Sequence, residues 1–190
     1  MADNIIKMVV YLGNYGKQYE KTRHNVGWLF EESLEIQNEK ISKFKGLFYK
    51  DNSGLIHLLP QTLMNNSGQS VIKAMQFFKI KIEEVLVVHD ELETNFGSFK
   101  LKIGGGLAGH NGLRSIADLT GSRDFSRLCI GISRPVHGSV ASYVLQRFNI
   151  QEEAELSTLF SGIKEYFYDF IGGKDRTSGK KVVILQQVRS

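Results

Sequence analysis

Residues 85–90 read "VLVVHD". Four aliphatic side chains in a row describe a strand buried on both faces, as in a parallel sheet covered by helices. The apolar run stops at His89 and Asp90. In open α/β sheets, ligands bind beyond the carboxyl ends of the strands. One hexapeptide therefore sets the fold class and marks Asp90 as a candidate functional group.

The same pattern repeats outward in both directions. Ile5, Ile6, Met8, Val9, Val10 and Leu12 predict a buried strand over 5–12, and "GLIHLLP" predicts another that Pro60 ends. "SFKLKI", 98–103, alternates Phe99, Leu101 and Ile103 against Ser98, Lys100 and Lys102, the pattern of a half-exposed strand. "RLCIGI", 127–132, is a further strand. Between them, apolar stripes predict helices over 25–38, 69–79, 111–120, 139–147 and 152–171, with Ser67 as a cap for the second. Alternating strands and helices imply a single α/β domain with a mixed sheet flanked by helices. The domain covers 1–172. A tail over 173–190 is first basic and flexible ("GGKDRTSGKK"), then apolar enough to dock ("VVILQQV").

A chain of 190 residues with 42% hydrophobic content suits one compact domain. Its 19 glycines and 2 prolines are not a linker composition. The single cysteine, Cys129, excludes an internal disulfide and fits a reducing compartment, so a cytoplasmic protein is expected. No apolar run approaches the roughly 18 residues of a membrane span, and the N-terminus lacks a signal-peptide pattern. The net charge of +4 is only mildly basic. Its distribution is more informative: Lys100, Lys102, Arg114, Arg123, Arg127 and Arg134 crowd one segment, as an RNA-binding surface would.

Several chemistries can be weighed. "GGGLAG" fits G-x-G-x-x-G through Gly104, Gly106 and Gly109, but the preceding strand carries lysines, unlike a central dinucleotide-binding strand. A glycine turn that lets a ligand approach the backbone is the better reading. His110-Asn111 stands where a P-loop needs Lys-Ser/Thr, which excludes that nucleotide site. No histidine or cysteine spacing matches a metal motif, and Cys129 falls within an apolar strand. No G-x-S-x-G occurs. His24 in "TRHNVG" remains as a base that would activate water, with Asp90 to fix its tautomer. The plainer reading, that both residues cap or buttress local structure, stays open. Asn14, Asn25, Asn65 and Asn111 fall near strand ends or helix starts, where neutral amides suit peptide and carbonyl recognition.

"YLGNYGKQYEKTRHNVGW", "PQTLMNNSG", "VHDELETNFGSFKLKIGGGLAGHNGLRSI" and "RLCIGISRP" together resemble the successive signatures of bacterial-type peptidyl-tRNA hydrolases. The resemblance spans roughly residues 5 to 150. It implies a single domain with a mixed twisted sheet that hydrolyses the ester between peptide and tRNA without metal or cofactor. The implied partner is peptidyl-tRNA, not DNA or a membrane, and the implied state is a monomer. By motif, His24 is implied as the base, Asp90 as its orienting carboxylate, and Asn14 as a positioning group. Asn65, Asn111, Asn25 and Met64 are implied to line the substrate cleft. Tyr19, Lys100, Lys102, Arg127 and Arg134 are the implied tRNA contacts. Three residues depart from the family pattern: Tyr11 for glycine, Tyr15 for proline, and Cys129 where an arginine would complete a phosphate clamp. Relatives that bind RNA without hydrolysing it make a rival reading.

Overall fold

The computed structural model describes residues 6–174 and the backbone of 181–184. The flexibility expected at 175–180 and the docking expected at 185–188 lie outside the described residues. The elements follow in chain order: β1 (Met8–Tyr11), α1 (Val26–Ser33), β2 (Ile41–Lys43), β3 (Gly46–Lys50), β4 (Ile56–Pro60), α2 (Ser67–Phe78), β5 (Val85–Glu91), β6 (Ser98–Ile103), α3 (Asn111–Thr120), β7 (Ser126–Gly131), α4 (Val140–Val144), α5 (Ile150–Ile171) and β8 (Lys181–Ile184).

All described strands join one mixed sheet in the order β2-β3-β4-β1-β5-β7-β6-β8. β4, β1, β5 and β7 run parallel at its centre. Antiparallel strands flank them on both sides. β5 is buried along its whole length, as "VLVVHD" requires. Its Leu86 and Val88 pack with α1 and α5, and its Val85 and Val87 pack with α2 and α3. The predicted α/β sandwich is thus the observed one.

The differences have local causes. α1 stops at Ser33 rather than 38. There the Ser33 hydroxyl donates to Phe30 O at 2.7 Å, Leu34 N–H bonds Glu31 O, and Glu35 takes a positive φ of 55°. Ser67 does not cap α2; it is that helix's first residue and donates its hydroxyl to Met64 O at 2.8 Å. α4 is shorter than predicted and α5 starts earlier, at an Asn149–Glu152 capping box. β2 and β3 had no sequence signal. Their two-residue turn is Phe44-Lys45, with φ of 58° and 52°, where Asn-Gly would be the recognisable choice.

Candidate active site

The site begins with the way α1 is set on the sheet. Its Gly27 is indispensable: a Cβ there would lie 2.7 Å from Leu12 O and 2.9 Å from Val88 O. Only glycine lets the helix start press on the carboxyl ends of β1 and β5. The preceding 3-10 turn, Arg23–Asn25, holds His24 directly above that junction. Arg23 anchors the turn from the far side. Its guanidinium donates to both Glu152 carboxylate oxygens, at 2.8 and 3.0 Å, and to Arg147 O at 2.7 Å, and it lies over the Tyr143 ring. Asn25 anchors the near side. It accepts from Asn14 N–H at 2.8 Å and donates to Asn14 O at 3.0 Å. "RHN" is therefore one histidine between two clamps.

Asp90, the residue at the end of the buried run, meets that histidine. His24 Nδ1 lies 2.9 and 3.0 Å from the two Asp90 carboxylate oxygens. His110 Nε2 lies 2.8 Å from Asp90 Oδ1. The tautomer of His110 follows from its other nitrogen. As the N-cap of α3, His110 accepts from Gly112 and Leu113 N–H through Nδ1, so Nε2 carries the proton and donates to Asp90. Asp90 is 3% exposed. Burial opposes its ionisation, but the His24 and His110 rings outweigh this and hold its carboxyl well below the usual range. For His24, burial lowers the imidazole pKa and the Asp90 charge and hydrogen bond raise it; the net shift is upward. With Nδ1–H committed to Asp90, His24 presents Nε2 as its basic atom.

Asn14 completes the rim. Its Oδ1 accepts from Met64 N–H at 2.7 Å, and its Nδ2 has no partner among the described residues. The carboxyl ends of the parallel strands β1, β4 and β5 bring Asn14, Met64 and Asp90 to one rim with His24. β6 ends at the opposite edge, with Ile103 beside Ser126, and the glycine loop returns the chain to Asn111 at the cleft. A cleft of about 380 Å³ opens beside them, walled by His110, the glycine loop and Val140 and Val144 of α4. Asn111 is exposed at the start of α3 and lines the cleft; Asn65 is exposed in the Met64–Asn66 turn before α2 and is not among the cleft-lining residues. In the sequence His110 stands out only as a P-loop mismatch. Its place just before the predicted 111–120 helix, the N-cap position, was the available signal.

The residues 8–186 match the family model for peptidyl-tRNA hydrolase. The chain is 48% identical to a peptidyl-tRNA hydrolase of Geotalea daltonii over 83% of its own length and 86% of the relative's. It is 39% identical to one from Lactobacillus delbrueckii subsp. bulgaricus, over 90% and 95% of the two chains. The crystal structure of an Arg119Gln mutant of the Acinetobacter baumannii peptidyl-tRNA hydrolase superimposes with a TM-score of 0.84 at 35% identity, covering 91% of this chain and 92% of that one. The chain belongs to the peptidyl-tRNA hydrolase family. It is a hydrolase of peptidyl-tRNA.

Against that family background the three departures can be placed. Tyr11 is fully buried on the α1 side, its hydroxyl 2.8 Å from His57 Nδ1, and leaves the Asn14 bracket intact. Tyr15 is exposed next to Asn14. Cys129 is fully buried beside His89, so that position adds no cation to the β6–β7 surface. Arg127, one of the two arginines (with Arg134) that could supply a cation in its place, is 1% exposed. It donates its guanidinium to Gly106 O at 2.8 Å and to Gly104 O. It shapes the glycine loop from below and, as placed, offers no charge to a phosphate. Arg134 is exposed at the cleft and pairs with Glu93. Tyr19 is half-buried in the turn Lys17–Tyr19, and Lys100 and Lys102 stand partly exposed on β6. Among the described residues, no helix is long and apolar enough to cross a membrane.

Proposed function

We propose that His24 is the general base that activates water for attack on the ester joining peptide to tRNA. The observation that carries this reading is the His24–Asp90 bond at 2.9 Å, made at the carboxyl end of a strand buried along its whole length. Nε2 of His24 takes a proton from water, and the hydroxide attacks the acyl carbon. The tetrahedral intermediate expels the ribose hydroxyl, which regains a proton from the His24 imidazolium. Asp90 orients the ring and stabilises that imidazolium without itself taking the proton. His110 shares the Asp90 carboxylate and fixes its orientation. The Asn14 Nδ2 is a donor on the same rim as the base, since Asn25 ties the Asn14 backbone to the His24 turn.

Asn65 and Asn111 hold the peptide by its backbone, with Met64 behind them. Neutral amides accept any sequence, and a free aminoacyl-tRNA lacks the peptide bond they would grip. Lys100 and Lys102 contact the tRNA phosphates. The working species is a cytoplasmic monomer that needs no metal or cofactor.

The test compares peptidyl-tRNA with free aminoacyl-tRNA. The protein is expected to cleave the first and spare the second. His24→Ala should abolish turnover while tRNA affinity stays within a few fold. Binding of peptidyl-tRNA with no ester cleavage by the natural protein would favour the rival, an RNA-binding module. Normal turnover by His24→Ala would remove His24 from the mechanism.

A further inference from the structure

We propose that His89, Cys129 and Glu91 form a second site, a binding site for a zinc-class divalent cation whose occupation inhibits hydrolysis. His89 and Glu91 share one face of β5, and Cys129 is the direct cross-strand partner of His89 on β7. The three are 1%, 0% and 4% exposed for His89, Cys129 and Glu91. One ligand atom from each lies within 4.8 Å of the other two.

The hydrogen bonds leave the correct atoms available. His89 donates Nδ1–H to Asp90 O at 2.7 Å, so its Nε2 is the unprotonated nitrogen. That bond is the outer-sphere contact that fixes the tautomer of a metal-bound histidine. Nε2 faces Cys129 Sγ at 3.3 Å. A tetrahedral zinc with ordinary bond lengths needs its ligands about 3.4–3.6 Å apart, a small opening from this distance. Glu91 accepts from Glu93 N–H at 3.1 Å through one carboxylate oxygen, and the other has no hydrogen-bond donor among the described residues. His89 and Glu91 line the cleft, which supplies an entry path and a water for the fourth position.

Glu91 supplies the anionic ligand, and the cations Arg127, Lys100 and Lys102 nearby set the repulsion that binding must overcome. His89 Nδ1–H is spent on Asp90 O and the Cys129 thiol lies against Nε2, so without metal the two form a thiol–imidazole hydrogen bond. The Arg127 guanidinium is committed to the glycine-loop carbonyls. Lys100, across from Cys129 on β6, is partly exposed and carries its charge on a long stem. The His24–Asp90–His110 group is a poorer site, because both ring N–H groups already point at the shared carboxylate.

Binding exchanges the thiol proton, released to solvent, for a dication, a gain of one positive charge. That charge sits one residue from Asp90 and disfavours the His24 imidazolium that forms during hydrolysis. The inhibition rests on the catalytic reading above; the binding does not.

The experiment uses the full chain with Zn²⁺ or Co²⁺ alone. Equilibrium dialysis should retain one equivalent of zinc in the natural protein and in His24→Ala. The cobalt form should show a thiolate-to-metal charge-transfer band. Cys129→Ser should lose the band, and both Cys129→Ser and Glu91→Gln should bind at least about 10-fold more weakly. Zinc should inhibit the natural enzyme and spare Cys129→Ser, with circular dichroism reporting that each variant is folded. No retained zinc, no thiolate band, or equal inhibition of Cys129→Ser would overturn the proposal.

Discussion

At the scale of the residue, the proposed catalytic unit is His24 with Asp90. With His24 as the proposed base, its Nε2 must be unprotonated, so activity should fall on acidification through the pKa of that ring. The Asp90 charge outweighs burial and raises this pKa above the ordinary imidazole value of about 6.5. Asp90→Asn removes the raising influence and leaves the burial. The acidic limb of kcat/KM should therefore move to lower pH while the rate drops by about 10²–10⁴-fold. A pH–rate profile of the two proteins checks this, and an unmoved limb would detach Asp90 from the base. The same pair affects stability. His24 is raised, so its contribution is complete below about pH 6.5 and is lost as pH rises through the folded value; Asp90 is lowered, so its contribution is present above about pH 3.9 and lost below. The thermal stability advantage of the natural protein over His24→Ala should consequently be larger near pH 5 than near pH 8. Melting curves at the two pH values measure it.

At the scale of the element, legibility followed how local the cause was. "VLVVHD" carries its own burial on both faces, and it became β5 with Asp90 at its end. The 111–120 helix is bounded by His110 and by Gly121, which takes a φ of 73°, and both boundaries were readable. The end of α1 was not, because its apolar stripe continues to Leu34 while the Ser33 hydroxyl breaks the helix. β2 and β3 were hidden by a Phe-Lys turn whose strained backbone is offset by an aromatic cluster of Phe44, Phe48, Phe77 and Phe78. The role of Arg23 was equally illegible, since its Glu152 partner lies at the far end of the chain. Gly27 shows the consequence of such non-local fit. Gly27→Ala favours helix by propensity, by up to about 1 kcal/mol. It also drives a methyl group onto two carbonyl oxygens of β1 and β5. The clash should prevail, lowering the melting temperature and displacing His24, so that kcat falls more than tRNA affinity. A variant as active and as stable as the natural protein would mean that α1 is not held at this distance.

At the scale of the whole molecule, the question is how one sheet would serve both halves of the substrate on the proposed reading. The pairing β5-β7-β6 sets His89, Cys129 and Lys100 in one row, and Val87, Arg127 and Lys102 in the next. Both lysines stand two strands from β5: Lys100 is level with His89 and about 10 Å from it in the sheet, and Lys102 is about 14 Å from Asp90. With Cys129 buried beside His89 and Arg127 spent on the glycine loop, they are the partly exposed cations of those rows. An anionic tRNA held there must release counterions, and each phosphate contact contributes about 0.7–0.9 to the slope of log affinity against log salt. Lys102→Glu should therefore raise KM more than it lowers kcat, and it should flatten the salt dependence of KM by about one contact's worth. Adding Lys100→Glu should flatten it again, by a similar step. Salt titrations of KM for the single and double variants measure this directly. If KM and its slope stay at the natural values in the double variant, the tRNA is gripped elsewhere, and the β6 face has no part in binding it.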